Sequence, residues 1–527
     1  PGPSKAEQQQ LKSPSPAAQA EIKQWEEFLN QDDAKHAMTA RYLYEHLFLA
    51  HLNFNDAAPK EFYQIVRSRT PSGEPIDIIA TVRPYDDPGV DSFYYRFRKI
   101  HSTLVHKTHM VFKLDDSKLQ RFKSLFIDPQ WNETPYRVSY KHKISANPFS
   151  AFAQIPAQSR YQFLLDNSEY IIRTFIRGPV CKGQIALNVI HDHFWVMFLD
   201  PKSDMTLQEP GFLVEQTNNL SLPTEKGSNV ALRKVFSNVY RDHYSEFFHA
   251  KEELYRRYES KLDLNSIWKG EKSEDAPILT VYRHFDSASV HKGVLGRLPR
   301  TLWIIDYPLF ERIYYALVAG FDIFGNVTHQ TNVRRYMDYL RMEGEGNFIS
   351  FLPAEIQMET FKSWYIGDKA FAEVEFDTTS IADNIGYITN EPKRELVERI
   401  VDEHILKSTG IAFDEINYYR AGESPPKMPT TFTTHEDILT AVRSLNAPGT
   451  AFIKKNTDEG INVLYLHVRD IDEGDVFITI VINRWHDNVN SLFDERSRLN
   501  PAKDTMNFFK GSLGSYPNYF FKVDISE

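Results

Sequence analysis

Residues 463–483 read VLYLHVRDIDEGDVFITIVIN. Two runs rich in β-branched and aromatic residues, VLYLHVRD and VFITIVIN, flank IDEGD, whose Gly474 suits a tight turn, so the stretch predicts an antiparallel hairpin. Upstream, the proline-rich AGESPPKMPTTF from residue 421 marks a boundary and predicts a strand-rich C-terminal lobe over 421–527. Before it the apolar period changes to that of helices. Helices are expected at 434–445, 391–406 and 307–345, and along Leu232, Phe236, Val239, His243, Phe247, Ala250 and Leu254. Residues 203–230 are polar with Pro and Gly and predict a long loop or lid. Pro156–Ile176 predicts a helix stopped by Gly178-Pro179, and RYLYEHLFLAHLNF (41–54) predicts another. Between these two, FYQIVRS (62–68), IDIIATV (76–82) and FYYRFRK (93–99) are separated by turn sequences and predict a small sheet. Residues 1–20 read as a linker. Strands and helices come in runs rather than in alternation. The expected class is therefore α+β, multi-lobed, with helices segregated from mainly antiparallel sheets and a main region over 21–420.

Composition narrows the function. The 527 residues carry 61 Lys and Arg against 71 Asp and Glu, a formal charge of −10, and 42% are hydrophobic. Such a chain has ample core, which excludes global disorder. An acidic balance without a basic block excludes the many phosphate contacts of a nucleic-acid interface, so no nucleic-acid partner is expected. The sole cysteine, Cys181, leaves no intramolecular disulfide, no cysteine zinc knuckle and no C-x-x-C-H haem sequence. The leader lacks an apolar signal-peptide core. The most apolar stretch, 301–326, is interrupted by Asp306, Pro308, Glu311, Arg312 and Asp322, so no spanning helix is expected there.

Several residue groups could carry chemistry. His191-Asp192-His193 lies in IALNVIHDHFWVMF. Two histidines two apart share a face only on a strand, and a metal would need a third ligand such as His106 or His109. No H-E-x-x-H accompanies them, and no metal site is assigned. Cys181, in RGPVCKGQ, lies between a helix stop and a helix start, with Arg177 and Lys182 close in sequence. That setting favours a thiolate nucleophile, although an unpaired cysteine filling the core reads the same way. Arg96 and Arg98 alternate with Tyr95 and Phe97, which makes either a basic face for a phosphate headgroup or an ordinary half-exposed strand. The pairs Asp86-Asp87 and Asp414-Glu415 fit turns. LGR (295–297) and GEG (344–346) are too short to signal a phosphate loop. The aromatics of 302–326, Trp303, Tyr307, Phe310, Tyr314, Tyr315, Phe321 and Phe324, suit an acyl-binding surface and equally a large core.

Longer segments go further. ARYLYEHLFLAHL, IATVRPYDDPG, KTHMVFKLD, NPFSAFAQIPAQSRYQFLLDN, FIRGPVCKGQIALNVIHDHFWVMFLDP and LVAGFDIFGNVTHQTNVRRYMDYLRMEGEGNFISFLP resemble the bacterial fatty acid cis/trans isomerase family, and weaker similarity continues to YPNYFFKVD near the C-terminus. The resemblance implies a periplasmic, membrane-associated isomerase of the solvent and heat stress response. It would convert cis double bonds of phospholipid acyl chains to trans without moving them. It also implies haem c as electrophile, held by a C-x-x-C-H site near the N-terminus. This sequence departs from that pattern, because Cys181 is followed by Lys-Gly-Gln. The expectation is a later part of a longer family member, its residues 1–20 linking to a separate N-terminal haem segment. The implied partners are phospholipid acyl chains, a peripheral membrane surface and that haem segment. Cys181, His191 and His193 are the catalytic candidates, and Arg177, Phe194, Trp195, Arg96 and Arg98 the substrate-binding ones. A greasy slot for an unsaturated tail is expected. The alternative is a non-catalytic lipid-binding or membrane-docking module of a periplasmic cytochrome.

Overall fold

In the computed structural model the strands on either side of residues 470–473 pair antiparallel as expected, with Val463 opposite Val481 and Val468 opposite Val476. Gly474, at φ 90°, takes the left-handed conformation that a side chain resists. The structure describes residues 12–54, 57–105, 108–177, 190–223, 239–260, 262–284, 287–320, 327–364, 385–445, 463–469, 474–485, 499–511 and 519–524.

Twelve strands are described: β1 His51–Asn53, β2 Tyr63–Ser68, β3 Tyr94–Lys99, β4 Val111–Lys113, β5 His193–Phe198, β6 Ile278–His284, β7 Ser287–Lys292, β8 Thr301–Ile305, β9 Val463–Arg469, β10 Val476–Asn483, β11 Thr505–Lys510 and β12 Tyr519–Asp524. They form three four-stranded sheets ordered β3-β2-β1-β4, β7-β6-β5-β8 and β11-β10-β9-β12. One topology recurs in all three. Three consecutive strands make an antiparallel meander, and the fourth returns to lie parallel to the first. With helices outside the sheets, the class is α+β as expected.

The chain divides into two compact units, each discontinuous in sequence. The first comprises Pro1–Val180, Thr206–Phe247 and Phe310–Tyr336, and the second Cys181–Met205, Phe248–Leu309 and Met337–Glu527.

In the first unit a helix starts at Pro16, inside the stretch read as linker, because Pro16 opens it and the Ser15 hydroxyl caps the Ala18 amide. The helix expected over 41–54 stops at Leu47. His51–Asn53 instead pairs with Val111–Lys113, so tertiary hydrogen bonding overrides the helical period. The helix expected over 156–176 is two, Ala157–Asp166 and Ser168–Arg177, separated at Asn167, whose side-chain amide donates to the Phe163 carbonyl. Of 76–82 only Ile78 bridges to the sheet, at Ser68. The core is aromatic and polar at once. His46 stacks between Tyr42 and Tyr314 and meets Glu311 at 2.6 Å.

In the second unit β5 and β8 are buried throughout, as a parallel pair covered on both faces requires. The third sheet uses the alternation of β10. Val476, Ile478, Ile480 and Ile482 share a cluster with Ile438 and Val442 of the helix His435–Leu445, while Val481 packs with Tyr282 of the second sheet. The aromatic stretch is divided between the units: Trp303 and Tyr307 are buried in the second, and Phe310, Tyr314 and Tyr315 in the first. Phe321 and Phe324 lie outside the described residues. The span read as a long loop contains short helices at Met205–Gln208 and Phe212–Glu215. Among the described residues no helix is long and apolar enough to cross a membrane.

Candidate functional site

Strands β7 and β8 run in the same direction, so residues 293–300, GVLGRLPR, must carry the chain back across the second sheet. Side chains of one sheet face hold this crossover down. The Leu295 carbonyl accepts from His193 Nε2 at 3.1 Å, Trp195 Nε1 at 3.0 Å and the Tyr282 hydroxyl at 3.1 Å. Thr280 donates its hydroxyl to the Gly293 carbonyl and accepts from the Leu295 amide. Gly296, at φ +84°, lies so close beneath that a Cβ would stand 2.2 Å from the Tyr282 hydroxyl and 2.7 Å from Asn507 Nδ2. Only glycine fits there.

This anchoring makes Arg297–Arg300 one wall of a pocket of about 290 Å³. The other walls come from His191 and His193 at the start of β5, from Arg394 in the helix Pro392–Arg399, from Arg484 and Trp485 after β10, and from Lys503 before β11. Among the described residues, five cationic side chains line it, Arg297, Arg300, Arg394, Arg484 and Lys503, against one carboxylate, Asp192. That carboxylate is engaged: Arg283 Nε donates to it at 2.7 Å and the Arg484 amide at 2.9 Å. The Trp485 ring lies 4.1 Å from the Arg300 guanidinium and 5.2 Å from Lys503 Nζ, within cation–π range of both.

The electrostatics follow from crowding. Burial, reinforced by Lys393, lowers His193 to about 3 against the pull of the Leu295 carbonyl. The His193 ring lies flat on Tyr282, 4.6 Å away, and at neutral pH it is an uncharged donor rather than an acid or base. Burial, then Arg300 and Arg394, lower Lys393 to about 7, although its Nζ donates to the Pro299 and Arg300 carbonyls at 2.6 Å. Burial, with Asp192 adding to it, raises Asp504 to about 6.

Lys393 has a measurable consequence. Between pH 7 and its ordinary 10.5 the unfolded chain holds a proton that the folded chain releases. Stability therefore rises with pH over that window, by up to about 1.4 kcal/mol per unit. Thermal melts at pH 7, 8 and 9 are expected to show this slope in the native chain and a flatter one in Lys393→Met; equal slopes in the two proteins contradict it.

The structure brings two of the sequence candidates together, His191 and His193. β5 begins at His193, so His191 precedes the strand and the two do not share its pleat. Phe194 stacks on Trp303 at 4.6 Å and Trp195 bonds to the crossover, both fully buried in the sheet's packing. Arg177, Arg96 and Arg98 belong to the first unit. Arg177 is buried at the end of its helix. Arg96 is buried against both carboxylate oxygens of Glu26 at 3.0 Å, and Arg98 bonds to Gln64 at 2.6 Å. Cys181, like His106, lies outside the described residues; His109 meets His51 at 2.6 Å. Sequence reasoning missed the five cations. They are scattered over 297–503 with no spacing motif, and the LGR tripeptide that carries Gly296 and Arg297 is unremarkable by itself.

No group of three His, Cys, Asp or Glu among the described residues could hold a metal ion. Covalent haem does not fit either. Two thioether links need two cysteines and the sequence has one, while His193 Nε2 is committed as a donor to Leu295. The pocket also differs from the expected greasy slot, since guanidinium groups dominate its wall.

Fold and pocket together define an α+β protein whose central crossover presents a cationic cleft. The chain belongs to the fatty acid cis/trans isomerase (CTI) family, whose model matches residues 3–527. It is thus a member of a family of isomerases acting on fatty acyl chains. No curated protein and no solved structure matches it.

Proposed function

We propose that this protein takes part in cis-to-trans isomerisation of the unsaturated acyl chains of membrane phospholipids, in the periplasm and at the membrane surface, leaving the double bond in position. The observation that carries this reading is the family match over residues 3–527. The reaction conserves every atom and electron, so no co-substrate is consumed. Rotation requires transient loss of π character, and a millionfold acceleration removes ~8 kcal/mol of barrier. Haem in such a protein would draw electron density from the double bond, and these residues offer it no covalent attachment. The acyl segment is bound away from the cationic pocket, because hydrocarbon gains nothing from displacing water around guanidinium groups. That same pocket favours a second reading, in which the chain docks lipid and a separate haem segment does the chemistry.

Vesicles of cis-unsaturated phospholipid, incubated with the purified chain with and without an added haem-bearing segment, distinguish the two. Gas chromatography is expected to show trans product with the double bond unmoved. Product only when the haem segment is added supports the docking reading. Product with a shifted double bond, or none in either mixture, overturns both.

A further inference from the structure

Guanidinium groups gathered around one small volume repel each other and lose hydration, and a counter-ion relieves both costs. In the pocket over the second sheet several such groups gather around Asp192, a carboxylate that Arg283 and the Arg484 amide already engage. Arg300 donates to the carbonyls of Ser363 and Trp364. Arg394 has Glu391 at 2.6 Å on one nitrogen and the Tyr419 carbonyl on another. Arg297 is the most telling. Its Nη1 is buried and has no hydrogen-bond partner among the described residues, while its amide is fixed by Asn507 Oδ1 at 3.2 Å and its backbone by the glycine beneath. Arg297 thus lines the pocket with one of its donors unmatched.

We propose that this pocket binds a phosphate group, either inorganic phosphate or the phosphodiester of a lipid headgroup, with Arg297 as its principal donor. Phosphate offers several acceptor oxygens around one centre and up to two negative charges, which several guanidinium forks approaching from different walls can share. A single carboxylate presents one planar edge and answers one fork. A volume of about 290 Å³ holds the phosphate and part of its substituent. The positive field is local, since the chain as a whole carries −10. Burial and neighbouring arginines push Lys393 down to about 7, and burial with Arg394 lowers Arg297 as well, as crowded like charges do. Phosphate binding is read without turnover, so it stands or falls apart from the isomerase reading.

Isothermal titration of the whole chain with inorganic phosphate and with glycerophosphoethanolamine, at ionic strength matched by sodium chloride, tests the site. Saturable binding of one equivalent is expected. Arg297→Gln should weaken it about tenfold or more, and Lys503→Ala, at an exposed position, about threefold. Tighter binding of the diester identifies a headgroup as the source, and tighter binding of inorganic phosphate identifies the free anion. Absence of saturable binding by both probes, or native affinity in Arg297→Gln, overturns the proposal. Should Arg297→Gln fail to fold, Lys503→Ala decides, and unchanged affinity there overturns it equally.

Discussion

Asp192→Ala is expected to cost the second unit about 3–5 kcal/mol, the usual penalty for stripping one partner from a buried ion pair. Asp192 and Arg283 are both almost fully buried. The carboxylate takes Arg283 Nε on one oxygen and the Arg484 amide on the other, while the Asp192 carbonyl accepts the Arg283 amide at 2.8 Å. One side chain therefore ties the start of β5 to β6 and to the end of β10. Its loss leaves a guanidinium that cannot deprotonate and an amide without its acceptor. The expected readout is a lower urea midpoint and weaker hydrogen-exchange protection in β5, β6 and β10. Asp192→Asn should fall between native and alanine, because it keeps an acceptor and loses the charge. Replacing both partners, as Asp192→Leu with Arg283→Met, should recover much of the loss, since an apolar pair of similar volume leaves no charge stranded. A urea midpoint unmoved by Asp192→Ala rules this account out.

The same residues show what the sequence discloses and what it withholds. The hairpin of 463–483 is legible because alternation and a glycine turn are local signals. The strand Thr301–Ile305 is not, because a parallel strand covered on both faces shows no alternation, and its run LWII merges with the helix that follows it. The returns of β4, β8 and β12 to lie beside β1, β5 and β9 have no local signature at all, since pairing between distant segments is decided by the assembled core. In the site, the motif His191-Asp192-His193 drew notice for its histidines, and they do line the pocket. Its middle residue, Asp192, for which sequence reasoning assigns no role, bonds Arg283 and the Arg484 amide. Arg96 and Arg98 looked like a basic face because alternation fixes which way side chains point, but the Glu26 that occupies Arg96 lies seventy residues away. Cationic clefts assembled from four or five separate segments leave no spacing to read.

Glu45→Ala is expected to destabilise the first unit by about 3–5 kcal/mol, for a similar reason. Glu45 and Arg41 sit one turn apart on the helix Ala34–Leu47, both buried. The carboxylate accepts Arg41 Nε at 2.9 Å and the Tyr315 hydroxyl at 2.5 Å. Arg41 also donates to the Ser145 hydroxyl and the Val138 carbonyl, and its guanidinium lies 3.9 Å from the Tyr140 ring. Burial opposes the Arg41 charge, and Glu45 with Tyr140 and Tyr315 together outweigh it, so the group is held firmly protonated. Removing Glu45 strands that charge, and the remaining donors and acceptors do not replace a counter-ion. Glu45→Gln keeps one acceptor, its amide oxygen, and loses the charge, so its cost should fall between native and alanine. Because the chain has two units, exchange protection of the helix Ala34–Leu47 measures the effect where it arises. Protection in Glu45→Ala should drop while that of β9 and β10 stays unchanged. Equal loss in both places would mean that the two units unfold as one, and no loss in either would mean that Arg41 finds its compensation elsewhere.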